Sequence, residues 1–219
     1  MEFIEIESEN AIEDAISSIG KEQRLIICGS SESKELLEEN LEISEKKLEE
    51  ILSASKKINV KEWFAEKRKE LEEDWECDLS ENEGEWIGER SPKEGFIIAT
   101  DLSTGKPLEG LVGARVSTDS SWKIPAFFNY GGWNDCPFPE IHCAIWKYWE
   151  EKYGAKIIGM SHDTIEAYVS DPPNTKEEAM ELAWEQYLYC YDIVDQGVET
   201  VSNLGSSIIN HNGWFFWWD

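Results

Sequence analysis

The sequence predicts an α+β fold, a central mixed β-sheet flanked by helices, with an acidic, helix-rich N-terminal region. Two observations carry this expectation. Short apolar runs alternate with longer segments of helical periodicity. The glutamates crowd the helical patterns of residues 1–93, whereas 94–219 holds most of the apolar runs. The chain is therefore read as an acidic helical region, 1–93, followed by an α+β domain, 94–219.

Phe3, Ile4 and Ile6 among glutamates predict a short edge strand. Ala11, Ile12, Ala15, Ile16 and Ile19 recur at helical spacing, and Gly20 is a stop signal. Arg24–Cys28 is a compact apolar run, read as a buried strand. Gly29-Ser30-Ser31 then opens a helix, with one of the two serines as N-cap. A strand-to-helix junction of this kind can cradle a phosphate, but no Walker lysine follows, and a capped turn is the simpler reading. Residues 32–53 predict a solvated helix broken near Ile43-Ser44. Residues 60–75 predict another, whose Lys67-Arg68-Lys69 cluster lies among glutamates spaced for ion pairs along a helix face. Residues 77–95 are polar and contain Pro92, as a linker or long loop would. Trp86 in their midst is either a binding residue or a ring tucked onto the core.

Further on, Phe96–Thr100 predicts a strand, Ser103–Pro107 a turn, Leu108–Val116 a strand and Ile124–Tyr130 another. Pro139 starts a helix that Gly154 stops at Tyr153. Residues 155–160 and 164–169 read as strands joined by Ser161-His162-Asp163. Thr175 caps a long helix with Glu178 as its capping-box partner. Residues 202–209 predict a weaker helix. Trp214–Trp218 predicts a strand inside the sheet, because so many large rings are costly to leave in water.

The 219 residues suffice for a substantial core, and hydrophobic content is 41%. The formal net charge of −26 opposes nucleic-acid or anionic-membrane binding and favours a basic partner. No apolar run approaches the about 20 residues of a membrane-spanning helix. Met1–Glu7 lacks the features of a secretory signal. A cytoplasmic location is expected. Five cysteines without a CxxC pair are expected to be reduced thiols.

Several motifs converge on one family. They are Gly131-Gly-Trp-Asn-Asp-Cys-Pro137, Trp149-Glu-Glu-Lys-Tyr-Gly-Ala155, Pro172-Pro173, Glu185-Gln-Tyr187, Tyr189-Cys190, Asp192-Ile-Val-Asp-Gln-Gly197 and Phe216-Trp-Trp-Asp219. The chain from about Trp63 to Asp219 resembles a bacterial family, domain of unknown function 4253. The resemblance implies a domain and no activity. Tyr191 departs from the proline expected there, which implies that the long helix runs on by a turn.

The site residues therefore rest on chemistry. Cys136 precedes a helix N-terminus, where a thiol can be activated. His142 lies on that helix. Asp192 and Asp195 are spaced to share one helical face, where two carboxylates can share a proton or chelate a cation. Asn134 and Asp135 are expected in Asx turns. Trp133, Asn134, Trp86 and Gln196 are candidate binding residues. His142, His162, Cys143, Cys190 and Glu140 lack recognised metal-ligand spacing, so no metal and no cofactor is assigned.

Two functions follow as expectations. The first is a protein-interaction module for a basic partner, in an immunity-like or inhibitor role. The alternative is an enzyme using a thiol nucleophile or a divalent metal around Cys136, His142, Asp192 and Asp195. It requires those groups to converge.

Overall fold

The computed structural model describes residues 1–43, 46–90 and 95–219. The order of elements is β1 (Glu2–Glu5), α1 (Ala11–Ser17), β2 (Gln23–Gly29), α2 (Ser31–Ile43), α3 (Leu48–Ser55), α4 (Val60–Asp74), β3 (Thr100–Asp101), β4 (Lys106–Pro107), β5 (Val112–Ser117), α5 (Ile124–Phe127), α6 (Pro139–Tyr153), β6 (Ala155–Met160), β7 (Thr164–Val169), α7 (Lys176–Tyr189), α8 (Val201–Ile208) and β8 (Gly213–Trp217). Six strands form one mixed sheet in the order β1-β5-β2-β6-β7-β8. Only β2 and β6 are parallel, with Ile27 opposite Gly159; the other neighbours are antiparallel. The chain is thus α+β, with helices against a mixed sheet. β2 pairs with β5 over most of its length, so the sheet spans the boundary expected at residue 93.

Alternation along β2 divides the core. Ile26 and Cys28 join the large cluster that contains α6, α7 and α8 residues. Ile27 faces the other way, with Ala11 and Ala15 of α1, Ile98, Leu111 and Ile158. Both faces of the sheet are therefore covered, as the unbroken apolar run of β2 requires.

Capping follows the sequence closely. Ser30 Oγ accepts the Ser33 N–H at 3.2 Å, Asn59 caps α4, and Thr175 Oγ1 accepts the Glu178 N–H at 3.2 Å. Gly154 ends α6 at φ +62°, where a side chain would also meet Ser170 Oγ at 2.0 Å. The basic cluster of α4 pairs with its own helix, Lys67 with Glu70, Arg68 with Glu72 and Lys69 with Glu73. α2 ends at Ile43, where the break is expected; Ser44 lies outside the described residues, as does Pro92.

Four expectations are corrected. Ile124–Tyr130 is not a strand: Ser121–Lys123 is a 3₁₀ turn and Ile124–Phe127 is helical, with Pro125 in the first turn. Proline lacks the N–H a ladder needs and suits a helix start. Phe96–Thr100 is not a strand either. The Ile97 and Ile98 N–H groups donate to the Glu166 carboxylate, at 2.8 and 3.2 Å, and only Thr100 and Asp101 pair with a neighbouring strand. β8 lies at the edge of the sheet and pairs with β7 alone; its inward rings, Trp214 and Phe216, are both packed on Trp149 of α6, while Phe215 is exposed. α7 stops at Tyr189, because Cys190 leaves the helical conformation (φ −153°) and residues Ile193–Val198 wind as a π-helical turn.

Candidate functional site

The Tyr130–Cys143 segment is a tight loop entering α6. Gly131 and Gly132 adopt φ of +102° and +88°. A Cβ on Gly131 would lie 1.8 Å from the Pro137 carbonyl oxygen and 2.7 Å from His142 Nε2. Glycine is therefore required by both conformation and space. The loop closes through Gly132 N–H to Cys136 O at 3.0 Å and Cys136 N–H to Trp133 O at 2.9 Å.

This loop folds Cys136 onto His142, six residues along. Cys136 Sγ lies 3.4 Å from His142 Nε2. His142 Nδ1 lies 2.5 Å from the Tyr189 hydroxyl, which also accepts the Trp146 indole N–H at 2.9 Å. Indole only donates, so the Tyr189 proton is free to go to Nδ1. The ring donates to the Pro137 carbonyl, so with Tyr189 donating to Nδ1 the proton of the neutral imidazole sits on Nε2, facing Cys136 and Pro137. The ring is enclosed edge-to-face by Tyr130, Tyr189 and Trp218.

The electrostatics agree with this arrangement. Burial pulls His142 down to about 3. Burial likewise pushes the Cys136 thiol well up, with Cys190 adding to the shift. Both groups are neutral near pH 7. Cys136 is 4% exposed and His142 fully buried. A thiol facing an N–H, in a dry aromatic cluster, has neither the base nor the access that a nucleophile needs. The pair packs and hydrogen-bonds as part of the core.

Asp192 and Asp195 have other partners. Asp192 is buried; its Oδ1 accepts from Gln196 Nε2 at 2.8 Å and its Oδ2 from the Asp219 N–H at 3.2 Å. Asp195 is exposed on the π-helical turn and accepts from the Tyr187 hydroxyl at 3.2 Å. The two carboxylates thus take different hydrogen-bond partners, although Asp192 still acts on Asp195 electrostatically. Burial raises the Asp195 carboxyl, opposed by the Tyr187 hydrogen bond. Asn134, at φ +45°, donates to the Asp219 carbonyl at 2.5 Å, and Asp135 accepts from the Tyr191 hydroxyl. These are bonds across the fold in place of the expected local Asx turns. Trp133 is half-buried against Tyr130, with centroids 4.9 Å apart. Trp86 lies back on α8 at Gly205, with Lys176 over its ring at 5.4 Å.

A second grouping thus emerges around Tyr191. Its ring meets Trp75 edge-on at 5.1 Å, its hydroxyl binds Asp135, and Asp192 and Asp195 both act on it electrostatically. Trp75 is 38% exposed. Among the described residues no ion pair involves Asp135, Asp192, Asp195 or Asp219. Tyr191 and Trp75 were not singled out from the sequence as site residues. Their signal was an aromatic residue beside acidic ones, which is common on helices. Among the described residues no three His, Cys, Asp or Glu side chains come together to hold a metal ion, and no helix is long and apolar enough to cross a membrane.

The Gly29-Ser30-Ser31 junction is a capped turn, with the His162 N–H bound to Ser33 Oγ at 2.9 Å. A cavity of about 440 Å³ lies beside it, at the ends of β2 and β6.

Residues 113–219 match the model of the family described as Domain of unknown function (DUF4253). The C-terminal half of the chain belongs to this family. The DUF4253 segment starts within β5 and contains Cys136, His142, Tyr189, Tyr191 and all four aspartates, while Trp75 and Trp86 precede it. No curated protein and no solved structure matches the chain.

Proposed function

We propose that this protein is a cytoplasmic interaction module that binds a basic protein partner through the face around Tyr191. The observation that carries the reading is a half-exposed Trp75–Tyr191 pair among aspartates that form no ion pair among the described residues. An arginine or lysine brought to such a face meets carboxylates and an aromatic ring together. The formal charge of −26 adds long-range attraction and speeds encounter. An immunity-like or inhibitor role, masking a basic surface, is the form of function this chemistry supports. The thiol-enzyme alternative would need His142 to offer Cys136 a lone pair at Nε2, and a Tyr189 hydroxyl donating to Nδ1 leaves Nε2 holding the ring proton.

The test separates this face from charge in general. A fluorescent peptide of alternating arginine and glycine is titrated by anisotropy against the wild type at about 50 and about 300 mM salt. Two double variants are compared with it: Asp135→Asn with Asp195→Asn, and Glu35→Gln with Glu39→Gln on α2. Each removes the same charge. The aspartate pair should weaken binding at least fivefold more than the glutamate pair, and salt should weaken all three. Equal losses in the two variants, or salt-independent affinity, would defeat the reading.

A further inference from the structure

A cavity of about 410 Å³ opens between the 96–97 segment, α7, α8 and the edge strand β8. This is within the size range of small-molecule sites. Phe96, Leu204, Ile208 and Phe215 supply much of its apolar wall. Four polar side chains also line it: Ser207 and His211, which bond to the backbone at Leu204 and Gly213, and Glu166 and Gln186. Glu166 is 1% exposed; its carboxylate oxygens accept the Ile97 and Ile98 N–H groups, one each, and both keep a further lone pair. It forms no ion pair among the described residues, and no lysine, arginine or aspartate lines the cavity. Gln186 is also 1% exposed, and its Nε2 has no hydrogen-bond partner among the described residues.

A buried carboxylate without a cation and a buried amide donor without an acceptor are both costly. Both lining one apolar cavity, they define what would complete it. We propose that this cavity binds a small apolar amine that carries a carbonyl oxygen, its ammonium pairing with Glu166 and its oxygen accepting from Gln186 Nε2. Amino-acid amides have this chemistry: one cation, one acceptor and an apolar side chain. The buried Glu166 carboxyl, which desolvation raises to about 7, gains most from such a cation when ionised.

The probes are phenylalaninamide and leucinamide, titrated into the whole chain by calorimetry at about pH 7.5, between the raised carboxyl and the α-amine of the probes. Wild-type protein is also titrated with 3-phenylpropanamide, which lacks the amine, and phenethylamine, which lacks the carbonyl. At least one amino-acid amide should bind. Loss of the amine should weaken binding at least tenfold and loss of the carbonyl at least threefold. Glu166→Gln should remove the preference for the amine, and Gln186→Leu the preference for the carbonyl. The wild-type comparison stands whether or not the variants fold. If neither amide binds, or if 3-phenylpropanamide binds as well as phenylalaninamide, the assignment is overturned.

Discussion

Replacing Glu166 by glutamine should flatten the dependence of stability on pH. The residue is 1% exposed and faces no ion-pair partner among the described residues. Burial lifts its carboxyl from 4.5 to about 7, with the Ile97 and Ile98 N–H bonds opposing the rise. Below 4.5 the group is protonated in folded and unfolded chains alike, and its burial carries no ionisation penalty. Between 4.5 and about 7 the unfolded chain gives up the proton while the folded chain keeps it, so stability falls as pH rises. Above that window both are ionised and the loss is complete, at about 3 kcal/mol. Glutamine has no such titration. It keeps one acceptor oxygen, so one backbone bond is lost at every pH, costing about 1 kcal/mol. Glu185 and Asp195, which burial also raises, act in the same direction but occur in both chains and cancel in the difference. Urea denaturation followed by tryptophan fluorescence, at about pH 5 and about pH 8, measures it. The variant should gain about 2–3 kcal/mol on the wild type across that interval. Parallel pH profiles would refute the placement of an uncompensated carboxyl under residues 96–98.

Two further outcomes test the Cys136 loop. Gly131→Ala should cost about 3 kcal/mol or more, since a Cβ there meets a backbone carbonyl at a left-handed φ. Gly20→Ala, at φ +80° in open space, should cost about 1 kcal/mol, and thermal melts showing equal losses would contradict the wrapped loop. Ellman's reagent should find one fast thiol in the native protein, that of exposed Cys77, because the other four are buried. Cys136→Ser should leave that fast titre unchanged, and its disappearance would show that Cys136 is accessible after all.

Much of the fold was legible in the sequence. Caps, glycine stops and helical spacing located α1, α2, α4, α6 and α7, because these signals act within a few residues of the backbone they control. The apolar runs located β2, β6, β7 and β8 for a similar reason. Proline at 125 was itself the local warning against the strand expected at Ile124–Tyr130. The candidate site was legible only in part. The glycine pair and Cys136-Pro137 marked a junction where chain conformation is tightly specified, and Cys136 and His142 are six residues apart, near enough for a loop and one helical turn to join them.

What the sequence by itself determined is therefore most of the helices and strands, the acidic character, and the segment carrying the DUF4253 motifs. Tertiary structure decided which groups meet. Tyr189 reaches His142 Nδ1 across 47 residues and so keeps the ring proton on Nε2, the nitrogen that faces Cys136. Tyr191 reaches Asp135 from 56 residues away and gathers the aspartates into one face. Glu166 alternates with buried Ile165 and Ala167 along β7, yet Ile97 and Ile98 donate their N–H groups to it, and a strand expected from apolar content is lost. Periodicity reports which face of an element is apolar. It does not report which distant backbone will cover the other face, and that covering sets the burial, the protonation and the hydrogen-bond partners on which the chemistry depends.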